Sequence, residues 1–184
     1  MSLVVCDLHK GGVSPIEVDL LKPEFDKAIL CGDIADLKNA KNSEAKMILA
    51  YRDSLMKKFG PRYPLGNHDD IQLIMPAVYY YIENGIMYTH GHLQMWPEDK
   101  VNKWREKQAG SGFLARSRSK IIDSARSIQG KPDQDFFENV YDMIKQRNLR
   151  GYVCGHKHYK ERITDITAGK TVIVLPRGVH DVII

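Results

Sequence analysis

Cys31-Gly32-Asp33-Ile34-Ala35-Asp36 follows the apolar run Ala28-Ile29-Leu30, the pattern of a buried strand opening into a loop. A carboxylate has two oxygens, so one Asp at such a strand end can bind two metal ions at the ~3.5–4 Å separation of a two-metal hydrolytic site. Asp33 stands in that position. Four further clusters supply Asp, Asn and His: Asp7-Leu8-His9, Gly66-Asn67-His68-Asp69, His90-Gly91-His92 and Gly155-His156-Lys157-His158. Each follows an apolar, strand-like stretch.

Outward from Asp33, the chain alternates strands and helices. Leu3-Val4-Val5-Cys6 reads as a short strand that turns at Gly11-Gly12, and Lys27–Cys31 as a second. Residues 43–59 read as a helix with Ser43 as N-cap, Ile48, Tyr51, Leu55 and Phe59 at helical spacing, and Gly60-Pro61 as the stop. Arg62–Leu65 reads as a third strand. Val78–Ile82 and Ile86–Thr89 flank Glu83-Asn84-Gly85, a β-hairpin marked by its Asn-Gly step. From Pro97 to about Gln129 the pattern is helical and basic, with Leu114, Ile121, Ile122, Ala125 and Ile128 on one face. A helix after Pro132 carries the stripe Phe136, Phe137, Val140, Tyr141 and Ile144, and Tyr152-Val153-Cys154 reads as a strand. Glu161–Ile166, Thr171–Leu175 and Val179–Ile184 read as an antiparallel meander. The fold class is therefore α/β.

With 184 residues, 43% of them hydrophobic, the chain fits one domain with a sizeable core. No apolar run approaches the ~20 residues of a membrane span, and no basic region precedes a long apolar one, so a cytoplasmic protein is expected. Three cysteines without framework spacing argue against a disulfide scaffold. Cys6, Cys31 and Cys154 each precede a candidate ligand, yet small buried residues also suit crowded strand ends, and core packing is the expected role. The formal charge of +4 is uneven: residues 100–131 carry nine basic and two acidic side chains, which leaves the rest of the chain acidic. Such a run is either a solvated helix face or a lid that attracts an anionic substrate. Arg116, Arg118 and Lys120, its most basic stretch, are the candidate substrate contacts.

Asp7, His9, Asp33, Asn67, His90, His156 and His158 together offer oxygen and imidazole donors without a thiolate. That set suits Mn²⁺, with Fe, Zn²⁺ or Ni²⁺ as alternatives, better than Ca²⁺ or a structural zinc site. Two divalent ions against two carboxylates leave a positive excess that attracts phosphate, and neutral Asn and His ligands preserve it. His68 adjoins Asn67 in sequence and is the natural proton donor to a leaving group. Asp36 is the first choice for the carboxylate that orients it and Asp69 the second.

Asp-x-His, Gly-Asp-x-x-Asp, Gly-Asn-His-Asp, His and Gly-His-x-His, in that order from Asp7 to His158, resemble the calcineurin-like metallophosphoesterase superfamily. The resemblance implies a four-layer α/β/β/α sandwich of two mixed sheets flanked by helices, with the metals at the strand ends; the helical, basic stretch at 97–131 is then an insertion between the fourth and fifth motifs. It also implies that Asp7, His9, Asp33 and His158 hold one metal and Asp33, Asn67, His90 and His156 a second, with His68 and Asp36 as a catalytic pair. The expected activity is hydrolysis of a phosphomonoester or pyrophosphate bond in a small anionic substrate of nucleotide or nucleotide-sugar type. A nuclease using Trp96, Trp104 and Phe113 as base platforms, and a silent scaffold of the same fold, are the alternatives. Asp36 is followed by Leu37-Lys38 rather than the Arg-Gly of the protein phosphatases. A weaker similarity links the layout to the UDP-2,3-diacylglucosamine hydrolases, from which the chain departs at His92, where they carry Asp, and in its charged insertion.

Overall fold

The computed structural model describes residues 1–12, 15–37, 39–40, 42–69, 79–95, 134–156 and 158–184. Among them the elements run β1 (Ser2–Cys6), β2 (Ile29–Leu30), α1 (Asn42–Phe59), β3 (Tyr80–Glu83), β4 (Ile86–Thr89), α2 (His92–Met95), α3 (Gln134–Gln146), β5 (Gly151–Cys154), β6 (Ile163–Thr167), β7 (Lys170–Val174) and β8 (Gly178–Val182). The basic insertion expected over 97–131, with Arg116, Arg118, Lys120, Trp104 and Phe113, lies outside the described residues, as does Trp96. None of the described helices is long and apolar enough to cross a membrane.

The strands form two mixed sheets. The first has the order β2-β1-β8, with β1 parallel to β2 and antiparallel to β8; the second has the order β3-β4-β5-β7-β6. In the second, β4, β5 and β7 run parallel, and β3 and β6 close the two edges antiparallel. Strand periodicity sorts neighbouring side chains to opposite faces. Val4, Cys6 and Ile29 of the first sheet thus share a cluster with Ile86, Tyr88, Val153 and Ile173 of the second. Their chain neighbours face away from it: Val5 and Leu30 pack with Leu55 and Phe59 of α1, and Met87, Tyr152 and Val172 with Phe136, Val140 and Ile144 of α3. The three cysteines are free and buried in these clusters, as core packing predicts.

The hairpin forms around the expected Asn-Gly step, though Glu83 belongs to β3 rather than to the turn and Val78 lies outside the described residues; Asn84 at φ 51° and Gly85 at φ 74° are the left-handed pair that a two-residue turn between twisted strands requires. Helix α1 starts at Asn42, one residue before the expected cap Ser43. Two expectations are corrected. Arg62–Leu65 is not a strand: Gly60–Arg62 forms a 3-10 turn, and Arg62 spends its guanidinium on the Asp26 and Ala28 carbonyls while Tyr63 and Leu65 bury beside α1. Nor is the tail a meander in one sheet. β6 and β7 pair as a hairpin, but β8 crosses to β1. Pro176 lacks the N–H that would continue a ladder, its carbonyl accepts the Cys6 thiol at 3.0 Å, and Gly178 at φ 125° redirects the chain.

The shared cluster makes a direct stability prediction. Ile173, fully buried between the sheets, should cost about 2–5 kcal/mol on truncation to Ala, read as a fall in urea midpoint at unchanged slope. Ile166→Ala in the neighbouring strand, at a side chain 69% exposed, should change stability by no more than about 0.5 kcal/mol.

Candidate metal centre

Parallel strands end together. The carboxyl ends of β1 and β2 deliver Asp7, His9 and Asp33, and those of β4 and β5 deliver His90 and His156, so each sheet contributes donors from one parallel pair. The usual ligand position in α/β sheets is the crevice beyond such ends. Beyond β1 and β2 the backbones stay zipped: Asp7 N–H donates to the Gly32 carbonyl at 3.0 Å, His9 N–H to Asp33 at 2.9 Å and Lys10 N–H to Ile34 at 2.8 Å.

The backbone under the donors is strained. Asp7, His9, Asp33, His156 and His158 all have φ between 49° and 78°, a region that non-glycine residues rarely occupy and that collects at functional sites. Five candidate ligands sharing this conformation is an arrangement that core packing alone does not require.

Their side chains converge. His158 Nε2 lies 3.1 Å from Asp7 Oδ1 and 2.9 Å from His9 Nε2. On the other side, His90 Nε2 lies 3.2 Å from Asp33 Oδ2, 3.2 Å from Asn67 Oδ1 and 2.8 Å from His156 Nδ1. Asp33 Oδ2 is also 3.9 Å from His9 Nε2, so a single carboxylate oxygen faces both groups. Asp7, His9 and His158 form one set able to hold a metal ion, and Asp33, His90 and His156 another; a third set joins His9, Asp36 and His68. Two imidazole nitrogens within 3 Å pair as a hydrogen bond when one of them carries a hydrogen, and with neither protonated both can serve as lone-pair donors to a cation.

Supporting bonds fix the ligands' aim. His90 Nδ1 lies 3.2 Å from the Cys31 carbonyl, which can only accept, so Nδ1 carries hydrogen and Nε2 turns to the site. Asp33 Oδ1 accepts the His68 backbone N–H at 2.7 Å. Gly66 packs so close that any Cβ there would overlap this oxygen. Asp7 Oδ2 accepts the His156 N–H at 3.0 Å, and the Asp7 carbonyl accepts Arg177 Nε at 2.9 Å.

His68 lies between two carboxylates. Its Nδ1 is 2.8 Å from Asp36 Oδ1, and Nε2 looks towards Asp33 Oδ2 at 4.0 Å. Asp36 is thus the orienting carboxylate. Asp69, the second choice, does other work: its Oδ1 accepts Ala35 N–H at 2.7 Å and the Tyr63 hydroxyl at 2.8 Å, and its Oδ2 accepts Gly66 N–H at 3.0 Å. It therefore ties the loop of Asp33 to the loop of Asn67. Arg52, 2% exposed, donates to the Asp69 carbonyl at 3.2 Å. Sequence reasoning missed Arg52, Arg177 and Asn39. Asn39 donates its amide to Asp36 Oδ2 at 3.0 Å, and only its spacing of three from Asp36, suited to a local side-chain turn, hinted at this.

The electrostatics follow from crowding. Burial by itself would raise the Asp33 carboxyl, but the imidazoles of His90, His68 and His9 outweigh it and hold Asp33 well below the usual range. Asp7 and Asp36 are lowered in the same way against their own burial, Asp7 by His158 and His90 and Asp36 by His68 and His9. Asp69 goes the opposite way, to about 6, through burial and the charge of Asp33. Burial pushes His90 down, and Asp33, Asp7 and Asp69 more than reverse it, to about 9.

Metal binding must displace the proton from His90 Nε2. Calorimetry in buffers of different ionisation enthalpy should therefore show proton release on Mn²⁺ addition at neutral pH, with affinity rising as pH climbs towards about 9. In the metal-free protein the sign is opposite. A His raised from about 6.5 contributes stability that is complete below that value and lost as pH rises through about 9. The site stands on this geometry alone: no family model matches the chain, and no curated protein does.

Proposed function

We propose that the chain is a two-metal-dependent phosphoesterase of the calcineurin-like type, hydrolysing a phosphomonoester or pyrophosphate bond of a small anionic substrate. The observation that carries this reading is the single oxygen, Asp33 Oδ2, facing His9 Nε2 on one side and His90 Nε2 on the other, with His68 Nε2 4.0 Å away. Asp7, His9, Asp33 and His158 would hold one divalent ion, and Asp33, Asn67, His90 and His156 the second. Mn²⁺ suits this oxygen and imidazole set, with Fe, Zn²⁺ or Ni²⁺ as alternatives. Such ions, when bound, supply Lewis-acid activation of water and neutralisation of phosphate charge. The chain's own residues do the rest. His68, held through Nδ1 by Asp36, presents Nε2 for proton transfer to the leaving oxygen. The expected four-layer α/β/β/α order belongs to the same reading, and the alternation of core clusters on either side of each sheet supports it.

Asp33→Asn should lose the paired site and the activity together, because a neutral amide no longer offsets two adjacent cations. Metal content by mass spectrometry and Mn²⁺-dependent hydrolysis of p-nitrophenyl phosphate read both. Activity undiminished in Asp33→Asn, or after chelation, would overturn the proposal. His68→Ala separates chemistry from binding: metal content should stay, while kcat falls by ~10²–10⁴ for an alkyl phosphate and by less for p-nitrophenyl phosphate, whose leaving group needs little protonation.

A further inference from the structure

Tyr63 reaches from the apolar cluster under α1 to the loops of the metal centre. Its side chain is buried in one cluster with Leu55, Phe59 and Leu65. Its backbone is fixed from behind: the Tyr63 N–H donates to the Gly60 carbonyl at 3.2 Å, and Arg62 anchors that turn on the Asp26 and Ala28 carbonyls, just before β2. At its far end the hydroxyl donates to Asp69 Oδ1 at 2.8 Å. Burial and the charge of Asp69 push this hydroxyl well above its usual range, so it keeps its hydrogen and remains a donor.

Asp69 passes the restraint on in two directions. Its Oδ1 also accepts the N–H of Ala35, two residues after Asp33, and its Oδ2 accepts the N–H of Gly66, the residue before Asn67. The loops joined in this way carry Asp33 and Asn67, two of the four donors assigned to the second ion. The donors that belong to the first ion alone are placed by other means. Asp7 and His9 are zipped to Gly32 and Asp33 by backbone hydrogen bonds, and His158 comes from the segment after β5. Asn67 Oδ1 lies 3.2 Å from His90 Nε2, so a small displacement of the Asn67 loop opens the second donor set while Asp7, His9 and His158 stay together.

We infer that Tyr63 is a positioning residue for the second ion: its hydroxyl, acting through Asp69, sets the affinity of the Asn67 side of the centre and leaves the Asp7 side alone. Tyr63 is not itself a ligand. The inference rests on the two-metal reading above. Hydrogen-bonding partners behind metal ligands tune affinity by ~10–100-fold, and a buried carboxylate deprived of a donor no longer holds its loops in one arrangement.

The test is calorimetric titration of the metal-free full chain with Mn²⁺, comparing the wild type with Tyr63→Phe, which keeps the buried ring and removes only the hydroxyl. The second binding event should weaken by ~10–100-fold and the first should be unchanged. Excess Mn²⁺ should then restore hydrolysis of p-nitrophenyl phosphate, because the hydroxyl sets occupancy and takes no part in the reaction. Leu55→Val, in the same cluster, is the control for packing: it should lower the melting temperature and leave both binding events as they are. Weakening of the first event, of both events alike or of neither in Tyr63→Phe would overturn the inference, as would activity that excess Mn²⁺ does not restore, or a Leu55→Val profile that matches Tyr63→Phe. Each of these outcomes leaves two ions on the wild type and the two-metal reading standing. If the wild type takes up fewer than two ions, both readings fall.

Discussion

Asp33 is a buried carboxylate, 2% exposed, and a buried charge survives only with partners. Its two oxygens divide the work. Oδ1 takes the His68 N–H and lies against Gly66, which locks the Asn67-His68 loop to the end of β2. Oδ2 faces His9, His68 and His90, which reach it from three separate segments. Remove the charge and the imidazoles lose the neighbour that holds them inward. The ends of the two sheets are thus coupled through one side chain, and the site exists only because the cluster of Val4, Cys6, Ile29, Tyr88, Val153 and Ile173 holds those ends in place.

The strain follows from the same constraint. A strand that simply continued would alternate its side chains across the sheet, sending Asp7 and its neighbours away from the opposite sheet's donors. A left-handed residue breaks that alternation and turns the next group inward. Asp7, His9, Asp33, His156 and His158 each pay such a cost, of order 1–3 kcal/mol for a residue outside its preferred region. The backbone bonds from Asp7, His9 and Lys10 to residues 32–34, together with the Asp69 carboxylate between Ala35 and Gly66, supply restraint where the strain accumulates. Asp69 accepts three donors although the charge of Asp33 opposes its ionisation. Its role is to fix the loops rather than to touch His68.

What the sequence revealed were the parts written in short-range signals. The Asp-x-His, Gly-Asp and Gly-Asn-His-Asp blocks each follow an apolar stretch, the Asn84-Gly85 turn has only one economical geometry, and the stripe of α3 has a single apolar face. All of these are local. The crossing of β8 to β1 was not legible, because alternating residues at Gly178–Val182 fit either sheet and only the break at Pro176 and Gly178 diverts the chain. Arg62–Leu65 looked like a strand by composition, yet a strand needs a neighbour. Tyr63 is held instead by its hydroxyl on Asp69. Arg52 carries no local signal of burial, which is set by the Asp69 loop it meets in space. Long-range pairing decided each of these, and one sequence does not print it.

The choice of donors bears on how substrate charge and metal charge share the space. A site made only of carboxylates would hold two cations tightly and repel a phosphate; on the proposed reading, the four imidazoles and one amide beside Asp7 and Asp33 would keep the local field positive once ions are bound. Asp36 is the third carboxylate nearby, and its placement is informative. Its Oδ1 is given to His68 and its Oδ2 to the Asn39 amide and, at 3.4 Å, to His9 Nδ1. It serves imidazole and amide partners, and with Asp33 and Asp7 it raises His9 against the effect of burial. The same placement puts its back against Gly12, where a Cβ would overlap Oδ2.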